Sequence, residues 1–120
     1  MYDHIGLKVK DLEASVRFYS AALTPLGHVL FLGDNTYAGF GPPDAPALWL
    51  YAAESTGSSG THVAFRARDR AAVDRFHKDG TKAGGRDNGR PGLRPDYSPT
   101  YYAAFLIDLD GNNVEAVCLT

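Results

Sequence analysis

His4-Ile5-Gly6-Leu7-Lys8-Val9 returns 58 residues later as His62-Val63-Ala64-Phe65-Arg66-Ala67. At the same offset Asp11 falls on Asp69, Ala14 on Ala72, Arg17 on Arg75, Phe18 on Phe76 and Gly27 on Gly85. Further along, Tyr37-Ala38-Gly39-Phe40 returns as Tyr102-Ala103-Ala104-Phe105, now at an offset of 65. The register therefore slips inside the Gly-, Pro- and Arg-rich stretch 85–99. A repeat of this length is one supersecondary unit used twice. It places a histidine at the start of each half, at equivalent points.

In each half the repeated stretch reads as a short strand. Ile5, Leu7 and Val9 alternate with His4, Gly6 and Lys8, so the two sets face opposite sides of a sheet. Val63 and Phe65 alternate in the same way with His62, Ala64 and Arg66. Asp11 and Asp69 then stand where helix N-caps belong, each carboxylate able to accept an orphan backbone N–H. The spacing of Leu12, Val16, Tyr19 and Leu23 predicts a helix over residues 12–23, closed by Pro25 and Gly27. Ala72, Val73, Phe76 and Gly80 predict its counterpart over 71–82, with Gly80 as terminator. Residues 28–32, 36–40 and 47–52 read as three strands broken by turn residues. The second half offers strands over 100–108 and 113–119, joined at Asp110-Gly111-Asn112. Its remaining strand must lie within 85–99, where three prolines make regular structure doubtful. Each half is β-α-β-β-β. The expected unit is one domain over residues 1–120, with modules at about 1–55 and 60–120 joined by the polar stretch 55–60.

At 120 residues the chain can bury a core without disulfides, and the lone Cys118 allows none within the chain. A net charge of −2 gives no electrostatic case for nucleic acid or an anionic membrane. The longest apolar run, 101–107, is far short of the roughly 20 residues a membrane span needs. Residues 1–10 lack the features of a secretory signal, and the expected location is the cytoplasm.

These marks resemble the vicinal oxygen chelate superfamily, which includes glyoxalase I, extradiol dioxygenases, fosfomycin-resistance thiol transferases and bleomycin resistance proteins. The resemblance rests on His4-Ile5-Gly6-Leu7, Phe18-Tyr19, Thr61-His62-Val63-Ala64-Phe65 and the closing Asp108-Leu109-Asp110-Gly111-Asn112-Asn113-Val114-Glu115. That ending is close to the family's D-P-D-G-N-x-x-E, with Leu109 in place of proline. It implies an α+β fold of two tandem βαβββ modules forming a cupped mixed sheet, the glyoxalase-like fold. It also implies a divalent metal in the cup, held by His4, His62 and Glu115. The fourth family position, found by continuing the offset of 65, falls on Leu50. Slipping by one gives Trp49, and the nearest carboxylate, Glu54, lies four residues past Leu50. Neither Leu50 nor Trp49 can bind a metal.

Two imidazoles and a carboxylate suit Fe, Mn, Zn, Ni or Co, and three protein ligands leave positions open for a substrate. The set differs from the four-ligand arrangement of glyoxalase I and matches that of extradiol dioxygenases and fosfomycin thiol transferases. The resemblance thus implies a metal-dependent lyase, dioxygenase or thiol transferase acting on a small oxygen-rich molecule, in a homodimer. The alternative is a metal-free protein that binds or sequesters a small molecule or antibiotic.

Tyr37 and Tyr102, repeat equivalents, are candidates to contact substrate, as is Arg66, whose guanidinium suits a carboxylate or phosphonate. Lys8 shares the histidine side of its strand. Arg86, Arg90 and Arg94 make the stretch 86–94 a candidate lid. Trp49 reads as core. Cys118 falls on the strand face opposite Glu115. His28 and His77 have no partner in the repeat and receive no role. No residue is assigned to catalysis.

Overall fold

The computed structural model describes residues 1–31, 33–55 and 60–120. Leu32, at the end of one expected strand, and residues 56–59 of the connecting stretch lie outside the described residues. The first half runs β1 (Ile5–Val9), α1 (Leu12–Leu23), β2 (Val29–Phe31), β3 (Tyr37–Gly41) and β4 (Leu48–Ala52). The second runs β5 (His62–Arg66), α2 (Arg70–Lys82), β6 (Arg86–Leu93), β7 (Tyr102–Ile107) and β8 (Asn113–Cys118). Each half has its own four-stranded mixed sheet, ordered β1-β4-β3-β2 and β5-β8-β7-β6. In both, the first strand pairs parallel with the last, and the remaining pairs are antiparallel.

Both helices start as their sequences dictate. Asp11 and Asp69, in extended backbone, accept from the N–H groups of Ala14 and Ala72 at 3.0 and 2.8 Å. After α1 the chain makes one 3₁₀ turn containing Pro25 and leaves it through Gly27 at φ +89°, where glycine avoids the Cβ penalty of left-handed backbone. Gly80 does not end α2 but lies inside it, at the crossing of the helices. A Cβ there would stand 2.5 Å from Leu106 and 3.3 Å from Ala22, its repeat equivalent. The two helices thus touch at equivalent points of the repeat.

The core is shared. Leu7, Val9, Leu48, Leu50 and Phe40 of the first sheet join Ala104, Leu106, Val114, Ala116 and Cys118 of the second, with Phe18 and Phe76 of the helices among them. Because the helix-facing side of each sheet feeds this core, the opposite sides both turn outward. A buried polar tie also crosses the halves. Asp108 accepts from the Tyr19 hydroxyl at 2.5 Å, while also holding its own turn through the N–H groups of Asp110 and Asn112 and the Asn112 amide. Burial, then the Asp108 charge, pushes the Tyr19 hydroxyl pKa well up.

The stretch read as a candidate lid is a paired edge strand. β6 runs antiparallel to β7 with register shifts between Asp87 and Gly89 and between Gly89 and Gly92. Pro91, which has no N–H to give, lies in the second irregularity, as an edge strand permits. Arg94 bonds the carbonyls of Gly92 and Arg90 at 2.8 and 2.7 Å and lies over the Phe105 ring. His77 of α2, 2.8 Å from Asp87, pins the other end.

Candidate functional site

Strand parity and register place the site residues. On β5 and β8 the core takes Val63, Val114, Ala116 and Cys118, leaving His62, Ala64, Arg66, Asn113, Glu115 and Val117 on the outward face. There His62 Nε2 lies 2.9 Å from Glu115 Oε2, and the Tyr101 hydroxyl donates to Glu115 Oε1 at 2.5 Å. The Glu115 side chain is only 3 % exposed, whereas that of His62 is 53 % exposed. A buried carboxylate held by two donors is oriented but still reachable from one side, through the imidazole. Burial, the hydrogen bond to Glu115 and its charge push the Tyr101 pKa up to about 12. Its hydroxyl therefore stays protonated through the neutral range and remains a donor.

His4 stands just before β1, its Nδ1 2.5 Å from Asp3 Oδ1, and lines a cavity between the halves together with His28 and Ala64. Among the described residues no three His, Cys, Asp or Glu side chains converge. One chain thus brings together two of the three expected ligands, His62 and Glu115, and His4 does not join them. The donor types nonetheless fit a divalent ion. His62 and Glu115, an imidazole nitrogen and a carboxylate oxygen already side by side, would be the residues to hold it.

Register also corrects the comparison of the halves. Gly6 pairs with Trp49 as Ala64 pairs with Glu115, and Gly39 lies across from Trp49 as Phe105 does from Glu115. The counterpart of Glu115 is therefore Trp49, not Leu50, and the strands match at an offset of 66. Leu50 is fully buried on the core side. Trp49, expected in the core, is half-buried on the outward face. A slip of one residue moves every side chain to the other side of a sheet.

The same slip displaces one expected contact residue. Tyr102 is the counterpart of Thr36 rather than Tyr37, and it points to α2. Its hydroxyl donates to Asp74 at 2.6 Å and Arg70 lies over its ring. Its place on the outward side is taken by its neighbour Tyr101. Tyr37 does face outward, packed on Trp49. Arg66 and Lys8 are exposed on the histidine-bearing faces, with no hydrogen bond or ion pair among the described residues. His28 packs beside Phe65 at a cavity of about 180 Å³ between the halves, where burial lowers its pKa. No helix among the described residues is long and apolar enough to cross a membrane.

A family model described as the Glyoxalase/Bleomycin resistance protein/Dioxygenase superfamily matches residues 2–116. No curated protein matches the chain. Among solved structures, a glyoxalase/bleomycin resistance protein from Albidiferax ferrireducens T118 is 27 % identical, with a TM-score of 0.82 over 98 % of each chain. A family enzyme from Burkholderia phytofirmans PsJN is 17 % identical, with a TM-score of 0.76, again over 98 % of each chain. A lactoylglutathione lyase from Agrobacterium tumefaciens is 20 % identical, with a TM-score of 0.69 over 98 % of this chain and 92 % of that one. The last two likenesses concern the fold.

Proposed function

The chain belongs to the glyoxalase/bleomycin resistance protein/dioxygenase superfamily, and on that premise we propose that it is a divalent-metal-dependent enzyme acting on a small oxygen-rich molecule. The observation that carries this reading is the buried Glu115 carboxylate with its oxygen 2.9 Å from the Nε2 of a solvent-reaching imidazole. In this reading His62 and Glu115 are one half of the site. The other half is His4 of a second copy of the chain, because the same chain's His4 does not join the pair. The working unit is a homodimer with two such sites.

When bound, the ion supplies Lewis-acid polarisation of a substrate oxygen. The rest of the chemistry falls to side chains of this chain. Tyr101 holds Glu115 from the side away from His62, fixing the carboxylate and offering a hydroxyl that stays protonated. Arg66, on the same face as His62, is placed to hold an anionic group of the substrate. Trp49, where a fourth ligand stands in four-ligand relatives, leaves the site with three protein ligands. That departs from the proton-transfer arrangement of glyoxalase I and leaves lyase, dioxygenase and thiol-transfer chemistry as the classes to assay.

Metal analysis of protein purified without chelator tests the reading, alongside His62→Ala and Glu115→Gln. About one transition-metal ion per chain, lost in both variants, is expected. Protein that takes up no Fe, Mn, Zn, Ni or Co on reconstitution is instead a metal-free binding protein.

A further inference from the structure

Three aromatic rings of β3 and β4 lie on the outward face of the first half, and the metal chemistry uses none of them. Trp49 lies over Gly39, where a Cβ would stand 2.6 Å from the indole. Tyr51 lies over Gly6, where a Cβ would stand 2.8 Å from the phenol ring. Tyr37 leans on Trp49 with 6.0 Å between centroids and 57° between planes. Glycine at both positions lets the rings spread along the sheet rather than stand up from it. They remain accessible: Tyr37 is 37 % and Tyr51 45 % exposed. A cluster of apolar surface on a rigid sheet, open on one side, is a binding surface awaiting an occupant.

Charge narrows what that occupant is. Lys8 lies directly across the parallel register from Tyr51. Its ammonium has no partner among the described residues. Among the described residues no other strand position of this face carries a charge. The one carboxylate that symmetry would place here is replaced by the Trp49 indole.

We propose that Trp49, Tyr51, Tyr37 and Lys8 form a subsite for a planar aromatic carboxylate, the rings receiving its ring and the ammonium its charge. The proposal rests on the metal-site reading only in taking this ligand to be the substrate. The subsite itself stands on the geometry of the first half.

Trp49 is the only tryptophan of the chain, so its emission reports on this face alone. The full-length protein is titrated calorimetrically with p-toluate, with trans-4-methylcyclohexanecarboxylate (the same charge without planarity) and with 4-methylbenzyl alcohol (planarity without charge). Iodide quenching of Trp49 is followed in parallel. Planar stacking predicts about tenfold tighter binding of p-toluate than of the saturated acid, with Trp49 shielded from iodide. Tyr51→Leu, which keeps the reporter, and Trp49→Leu should each erase most of that preference without changing metal content. Lys8→Met should weaken p-toluate about fivefold and leave the alcohol unaffected. Equal binding of the planar and saturated acids overturns the subsite, as does a Trp49 already closed to iodide before ligand is added. Planar preference in protein that binds no metal upholds the subsite and sinks the metal reading. Metal without planar preference does the reverse.

Discussion

The last strands of the two sheets occupy the same place and carry opposite chemistry. β8 sets Glu115 on its outward face, buried, bonded by Tyr101 and against His62. β4 sets Trp49 at the matching position, its ring over Gly39. Their inward residues, by contrast, are interchangeable: Leu48 and Leu50 on one strand, Val114 and Ala116 on the other, all in one core. Packing asks only for apolar volume, so it preserves the symmetry of the repeat. The outward faces are free of that demand, and there the halves diverge.

Several substitutions break or sharpen this contrast. The largest effect is expected at the turns before these strands. Asp108 holds its turn and Tyr19 through buried hydrogen bonds, so Asp108→Ala should cost about 3 kcal/mol or more. The matching turn of the first half relies on Pro42 and Pro43, and Pro42→Ala should cost about 1 kcal/mol or less. Urea unfolding measures both; equal losses would show that Asp108 is not the tie between the halves.

Next comes the face assignment itself. Leu50→Ala should cost about 3 kcal/mol, as expected for a sealed core leucine. Trp49→Ala, despite removing more atoms, should cost less, because the indole lies outward and half-exposed. The reverse order in the same unfolding experiment would restore Leu50 as the counterpart of Glu115.

A smaller and more local effect concerns Tyr101. Its pKa, pushed up to about 12 from an ordinary value of about 10, favours the protonated fold. That contribution is complete below about pH 10 and is lost as pH rises toward 12. Tyrosinate absorbance of the wild type minus Tyr101→Phe should therefore titrate near the upper value. In Glu115→Gln the same difference should move down toward 10. No movement would mean that Glu115 does not govern the hydroxyl.

The smallest effect belongs to Asp87. The His77 hydrogen bond holds its carboxyl below the usual range, so its contribution is complete above about pH 4 and fades as pH falls through the lowered value. Asp87→Asn should flatten the acid limb of the unfolding midpoint; an unchanged limb would show the contact to be without consequence.

The repeated first strands and capped helices made the modules legible, because each rests on local patterns that the sequence repeats intact. The pairing of the halves' last strands was not legible, for a physical reason. Tyr37–Phe40 and Tyr102–Phe105 resemble each other one residue out of register, and sequence likeness carries no information about which side of a strand a residue faces. Pairing Glu115 with Leu50 rather than Trp49, and Tyr37 with Tyr102 rather than Ala103, is one slip met twice. β6 was hidden by its own bulges, which break the alternation that marks a strand. His62 was read from the repeated first strand and Glu115 from the closing motif, and the structure sets the two side chains against each other, whereas Tyr101, just outside β7, had only adjacency to Tyr102 to announce it.

The claim that the second half's pair is completed by the first half of another chain can be tested by mixing subunits. His4→Ala and Glu115→Gln proteins, each alone, should lack bound metal. Unfolded together and refolded, they should regain it, because each mixed dimer then holds one site with an intact His4 from one chain and intact His62 and Glu115 from the other. Mixtures as empty as the separate variants would contradict a site shared between chains.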